Sequence, residues 1–269
     1  MVTITRRLAG VLPYSAIYFP DARTVRTMTD ALAPTRIARL FFTSENVVGR
    51  CVVARYLATT VISDLTAPVD ALWKATHKDC RQGIRRAEKL GQRVSIERNG
   101  ANGQRDFMDL LMALARSKKH VATINPRRLA LFGDSADVFV AYLDGRPYCA
   151  HLYLSDPEAS RARELHSATR RLEDAEEART SADLNRLLHW HEMQLYREQG
   201  FRTYDLGGIT AEATDGRARF KLSFGGEIVR EHVYLCTGMP RLGFAGWRLF
   251  EAFTNRGRQW RARAEELAG

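Results

Sequence analysis

No apolar run in this 269-residue chain approaches the roughly 18 to 20 residues that a membrane-spanning helix needs. The first residues lack the basic start, apolar run and small-residue cleavage site of a signal peptide. A cytoplasmic location is therefore expected. Cysteine is sparse, and Cys51, Cys80, Cys149 and Cys236 lie far apart, with no C-x-x-C and no Cys/His group at metal-ligand spacing. Reduced, mostly buried thiols are expected rather than a disulfide scaffold. The His189-Trp190-His191-Glu192 run is not read as a metal site, because adjacent helix positions point in different directions and no second ligand pair is in sight. No internal repeat, low-complexity stretch or tail of disordered composition occurs. No Ser/His/Asp or Cys/His nucleophile arrangement is recognisable either, which argues against a covalent enzyme intermediate.

What the chain does have is an ordinary globular composition, 45% hydrophobic and 27% charged, and a length suited to one large domain or two small ones. Acids are outnumbered, with 41 Lys and Arg against 31 Asp and Glu, giving a formal charge of +10. The isoelectric point is near 9.8. A basic surface attracts polyanions such as tRNA, nucleotide-linked substrates or anionic membranes. Charge alone would also suit a non-catalytic RNA-binding protein, but no RNA-recognition motif is visible.

Apolar runs at 17–19, 37–42 and 47–62, rich in β-branched and aromatic residues, read as strands. Pro68 to Asp70 opens a helix expected to end near Gly91. Trp73, Thr76, Cys80, Ile84 and Ala87 recur at helical spacing as its inward face, and Lys74, Lys78, Arg81, Arg85 and Lys89 form a basic stripe beside them. That stripe reads either as a solvated face or as a phosphate-binding rail. A strand at 94–97, a helix marked by Phe107, Leu110, Leu111 and Leu114, and a short helix near Pro126 follow. Strands at 138–143 and 148–154 flank Asp144-Gly145, a hairpin signal, and another strand holds 164–168. A long helix over 180–200 is expected, with Thr180 or Ser181 as N-cap, and with Leu184, Leu187, Leu188, His191 and Leu195 on one face. His191 reads there as a packed core histidine. Strands at 202–206 and 231–236 come next, then a helical tail from Arg241 carrying Arg248, Arg256, Arg258, Arg261 and Arg263 beside Trp247 and Trp260.

Two segments stand out together. Tyr204-Asp205-Leu206-Gly207-Gly208-Ile209 is a short strand that stops at a glycine pair, and Phe220-Lys221-Leu222-Ser223-Phe224-Gly225-Gly226 sets one lysine between two phenylalanines before a second pair. They resemble the Y-D-x-G-G strand end and F-K-x-x-F-G-G segment of the Fem-type aminoacyltransferases, relatives of the GNAT acetyltransferases that form peptidoglycan bridges or make amides from aminoacyl-tRNA. Cys80 to Gly91, C-R-Q-G-I-R-R-A-E-K-L-G, resembles that family's N-I-R-K-A-E-K-x-G helix, with Gly83 in place of its asparagine. The resemblance implies an α/β fold with a GNAT-like mixed sheet flanked by helices. It also implies a shortened N-terminal GNAT-like subdomain over 1–91, completed by 241–269, and a catalytic subdomain over 92–240.

The resemblance further implies transfer of an amino acid from aminoacyl-tRNA to an amine of a small peptide-like metabolite or a cell-wall precursor. No cofactor and no metal are expected beyond that co-substrate. Lys221, framed by Phe220 and Phe224, matches the family lysine that contacts the tRNA terminus and the reacting ester. Without the resemblance it would read as an exposed lysine on a strand. Asp205 reads either as orienting the amine or as capping the turn that follows it. Tyr204, Gly207 and Gly208 are candidates for substrate contact, glycine admitting close backbone approach. His166, Ser167 and Arg170 end a strand beside the expected cleft, where an arginine can hold a phosphate or carboxylate. Lys74, Lys78, Arg81, Arg85 and Lys89 are the candidate tRNA contacts. Acetyl-CoA users carry a Q/R-x-x-G-x-G/A loop before the helix corresponding to the one near Thr180. Here residues 170–181 contain no glycine and four acids, Glu173, Asp174, Glu176 and Glu177. An acyl-CoA-dependent N-acyltransferase acting on an amino sugar or amino acid is the alternative.

Overall fold

The computed structural model describes residues 1–8, 12–117, 126–170, 174–210 and 216–239. In chain order its elements are β1 (Val2–Leu8), β2 (Leu12–Tyr18), α1 (Ala22–Asp30), β3 (Ile37–Thr43), β4 (Val52–Asp64), α2 (Val69–Ala75), α3 (Lys78–Glu88), β5 (Val94–Arg98), α4 (Gly103–Ser117) and α5 (Pro126–Ala130). After these come β6 (Ala136–Leu143), β7 (Arg146–Asp156), β8 (Arg161–Thr169), α6 (Ala175–Glu198), β9 (Thr203–Gly208), α7 (Gly216–Leu222) and β10 (Glu227–Thr237). The chain divides into one compact unit of residues 1–60, 208–213 and 228–269 and a second of 61–207 and 214–227.

In the first unit β1 and β2 form an antiparallel pair, β3 lies parallel to β2, and β10 pairs antiparallel with β3. Its core gathers Ile17, Val25, Ala38, Leu40, Cys51, Tyr234 and Cys236. All four cysteines of the chain are buried and unlinked, as expected.

The second unit is built on the order β9-β8-β7-β6-β5, antiparallel from β5 to β8 and parallel between β8 and β9. Asp144 and Gly145 both take positive φ, 49° and 73°. That is the conformation a two-residue hairpin needs, and the reason an Asp-Gly pair signals one. Strand alternation sends Val138 and Val140 to the side where Gly103 of α4 approaches them. Asp137 and Phe139 point to the other side, onto Tyr196 of α6. The long helix therefore covers one face of these strands and α4 the other.

Several expectations are corrected. The helix from Pro68 to Gly91 is two helices, because Thr76 and His77 are extended, with ψ 132° and 145°. The basic stripe is therefore interrupted between Lys74 and Lys78. Thr76, Cys80, Ile84 and Ala87 of the inward face are buried as expected, whereas Trp73 is half-buried and the buried residue of α2 is Leu72. The long helix starts earlier than Thr180, because Asp174 caps it with 2.9 Å hydrogen bonds from the Glu176 and Glu177 amides. Its buried face carries Leu184, Leu188, His189, Trp190, Glu192, Met193 and Tyr196, whereas His191 is only half-buried. Lys221 lies on a helix, α7, and the turn that follows it closes at Gly225 with φ +80°.

The 1–91 and 92–240 division also differs from the observed units. Residues 61–91 go with the second, where the Arg86 guanidinium of α3 forks onto Asp183 of α6 at 2.6 and 2.7 Å. Gly83 sits at that contact, and a Cβ there would lie 2.6 Å from Asp183 Oδ1. The asparagine of the Fem-type motif would require the Asp183 and Arg186 side chains to shift. The helical tail and its arginines lie outside the described residues.

Candidate active site

Parallel pairing of β8 with β9 covers Arg161, Ala162 and Arg163 against Thr203, Tyr204 and Asp205. Just beyond these pairs, Lys221 reaches in from α7. Its ammonium donates to the Leu206 carbonyl and lies 3.3 Å from Glu164 Oε2. The lysine side chain is 15% exposed and the glutamate 3%. Burial would raise the Glu164 carboxyl, but the charges of Lys221 and His151 outweigh it and hold the group below its ordinary value. Gly207, at φ +79°, makes this closeness possible, since a Cβ there would stand 2.7 Å from the Glu164 carbonyl oxygen and 3.2 Å from Lys221 Nζ. Phe220 and Phe224 meet edge to face at 5.3 Å, and both pack on His189.

Behind the lysine lies a buried polar network that sequence reasoning missed. His151 of β7 places Nδ1 2.8 Å from Glu192 Oε1 and Nε2 2.9 Å from Asn185 Oδ1. The Tyr153 and Tyr204 hydroxyls approach Glu192 Oε2 at 2.8 and 2.9 Å and lie 2.5 Å from each other. His189 Nδ1 is 2.8 Å from the Tyr204 hydroxyl. Burial pushes both tyrosines well above their usual range, and the Glu192 charge adds to it. Burial also pushes His189 well below 6.5, reinforced by His151 and Lys221. For His151 burial acts in the same direction, yet Glu192 overcomes it and the pKa is raised. Ligand atoms of His151, His189 and Glu192 lie within 4.8 Å of one another, a spacing that a cation could bridge. The helix run that sequence reading set aside thus meets a histidine from another element.

A cleft of about 250 Å³ opens beside this network, lined by Thr169, Arg170, Ser181, Asn185, Arg186 and Phe220 among others. Arg170 lies at the end of β8 with its guanidinium 5.8 Å from the Tyr148 ring, and Arg186 sits 5.9 Å over Phe220. Of the predicted site residues, the structure brings Arg170 and Phe220 to this cleft and holds Lys221, Phe224, Gly207 and Tyr204 in one cluster. Tyr204 is fully buried within the network. Ser167 is exposed and His166 half-buried along β8, and Gly208 is exposed at the end of β9.

Adjacent strand residues face opposite sides, so Asp205 turns away from Tyr204 and the network. It is fully buried, takes hydrogen bonds from Arg161 and Arg163, and accepts the Gly207 amide at 2.8 Å. That is the turn-capping arrangement of its two readings. In the second glycine pair, a Cβ at Gly225 would lie 2.8 Å from Ala75 and one at Gly226 2.8 Å from the Ile62 carbonyl oxygen. Their close approach is to the protein itself. On the basic stripe Lys74, Lys78, Arg85 and Lys89 are exposed. Arg81 instead donates to the carbonyls of Trp73, Lys74 and Thr76, closing the end of α2.

Residues 74–222, more than half of the sequence, match the family model of the acetyltransferase (GNAT) domain, and the chain belongs to that family. This places it in the acyltransferase class. Among solved structures, FemX is similar over 90% of this chain and 85% of its own, with a TM-score of 0.62 and 12% identity. The C-terminal domain of a putative lysylphosphatidylglycerol synthetase from Agrobacterium fabrum is similar over 91% of this chain and 84% of its own, with a TM-score of 0.53 and 17% identity. A conserved protein of unknown function from Bacteroides thetaiotaomicron covers 85% of this chain and 80% of its own, with a TM-score of 0.52 and 11% identity. A comparison with curated proteins finds no match. At these identities the likeness is one of fold, and the Fem-like, GNAT-related fold read from the two motifs is borne out at that level. No helix among the described residues is long and apolar enough to cross a membrane.

Proposed function

We propose that the protein transfers an amino acid from aminoacyl-tRNA to an amine on a small peptide-like metabolite or a cell-wall precursor. The start of α6 carries the choice of donor. A CoA pyrophosphate needs unoccupied amides and a positive environment at that helix end. Here Asp174 takes the Glu176 and Glu177 amides, and three carboxylates crowd the first turn. Exposed Lys78, Arg85 and Lys89 supply attraction for a polyanion. Similarity of fold to FemX supports the same reading.

In this reaction the neutral acceptor amine attacks the ester carbonyl of the aminoacyl-tRNA. A C–N bond forms, the ester C–O bond breaks, and the amine proton leaves as the terminal ribose hydroxyl is restored. Lys221 is the cation assigned to the developing oxyanion. Its side chain is only 15% exposed, and the limited access of solvent strengthens its field. The second reading, an acyl-CoA-dependent N-acyltransferase, is favoured by one observation, the two arginines lining the cleft.

Equilibrium binding to aminoacylated tRNA, deacylated tRNA and acetyl-CoA, after nuclease treatment of the protein, separates these readings. Preference for the aminoacylated pool is expected. Binding of acetyl-CoA with indifference to tRNA would replace the proposal with the second reading.

A further inference from the structure

The cleft has one wall whose hydrogen-bonding character is dictated from behind. Glu192 oxygens and Asn185 Oδ1 can only accept, so a His151 ring that meets Glu192 at Nδ1 and Asn185 at Nε2 donates from both nitrogens. With Asn185 Oδ1 turned to Nε2, His151 is an imidazolium, fully buried and paired with a fully buried carboxylate. Around it stand Glu192 and His189 of α6, Tyr153 of β7, Glu164 of β8 and Tyr204 of β9, with Lys221 of α7 on Glu164. The two cations, His151 and Lys221, balance the two carboxylates, and the raised pKa of the imidazole agrees with that balance. A carboxamide whose oxygen is claimed by such a donor must turn its NH₂ group the other way. Asn185 lines the cleft.

We infer that Asn185 is a ligand-contacting hydrogen-bond donor, held donor-outward by the His151–Glu192 pair, and that the cleft takes an anionic oxygen group, a carboxylate or a phosphate. Arg170 supplies charge on the same wall, beside Arg186, whose guanidinium also meets Asp183 at 3.2 Å; Thr169 and Ser181, the latter donating to the Arg170 carbonyl, add hydroxyls. His151 and Glu192 are positioning residues that act through Asn185. The inference deepens the acyl-transfer reading of this site by giving the anchoring chemistry of a substrate.

Ring-nitrogen NMR of His151 in the intact protein tests the first half without any substrate or donor. Both nitrogens should show protonated shifts at neutral pH, and Glu192→Gln should convert the ring to a neutral tautomer. A neutral His151 in the unaltered protein overturns the inference. The second half is tested by titrating N-acetylglycine and inorganic phosphate separately while following the Asn185 side-chain NH₂ signals. Saturable shifts with one probe identify the carboxylate or the phosphate source. Asn185→Asp, which keeps size and an acceptor for His151, should weaken that probe by about 10-fold or more. Asn185 signals indifferent to both probes overturn the binding role, whatever the outcome with tRNA.

Discussion

Truncating Lys221 to alanine removes the cation beside a carboxylate whose side chain is only 3% exposed. Breaking a buried ion pair in this way costs about 3–5 kcal/mol, because the partner charge stays behind unpaired. For a chain of this size each kcal/mol moves the melting temperature by about 2–4 °C, so a fall of roughly 6–20 °C is expected by calorimetry. The pH dependence follows from the sign of the Glu164 shift. A depressed carboxyl stabilises the fold above its ordinary value of 4.5 and loses that contribution as pH falls through its native pKa. Without Lys221 burial dominates, and the acid limb moves to higher pH. Transfer should fall at least ~100-fold, the scale of losing one oxyanion donor. Lys221→Ala combined with Glu164→Gln separates the two effects, since it removes both charges together. Recovered stability with transfer still low is expected. Recovery of transfer along with stability would make Lys221 a countercharge only, and an unchanged melting temperature in the single variant would refute the ion-pair argument itself.

Gly207→Ala, forced to positive φ against the Glu164 carbonyl, should destabilise by about 1–3 kcal/mol in urea titration, and a neutral effect would mean that the strand end relaxes freely. Reversing Lys78, Arg85 and Lys89 to glutamate should weaken tRNA binding and flatten its salt dependence, whereas an unchanged slope returns that face to ordinary solvation. His189, buried neutral, gives stability that is full above pH 6.5 and declines as the pH falls below it, while His151, with its raised pKa, has the opposite sign. His189→Gln should therefore flatten the loss of stability on the acid side of 6.5, read from urea midpoints, and an unaltered slope would assign that proton elsewhere.

The parts of this protein that sequence made legible are those decided within a few residues. Asp144-Gly145 announces its hairpin because both positions need positive φ. The opposite facing of Tyr204 and Asp205 was also within reach, since they are neighbours on a strand and cannot both join one cluster. The break at Thr76 and His77 was not, because the spacing of Thr76, Cys80, Ile84 and Ala87 continues unbroken across it. Nor was the role of Arg81, whose exposed-stripe position conceals its bonds to the end of α2. The His151–Glu192 pair joins residues 41 apart through the packing of α6 on β7, which no local pattern encodes.

Arg85 also stacks at 5.5 Å on Trp73, whose ring lies 5.0 Å from that of Trp190 at 55°. Two coupled indoles with a cation on one of them form an optical device. Their near-ultraviolet dichroism reports whether α2 and α6 stay together, and the emission of Trp73 responds to any anion that draws Arg85 away. Any polyanion that docks on the α3 face would thus be read out in unlabelled protein, from within that surface.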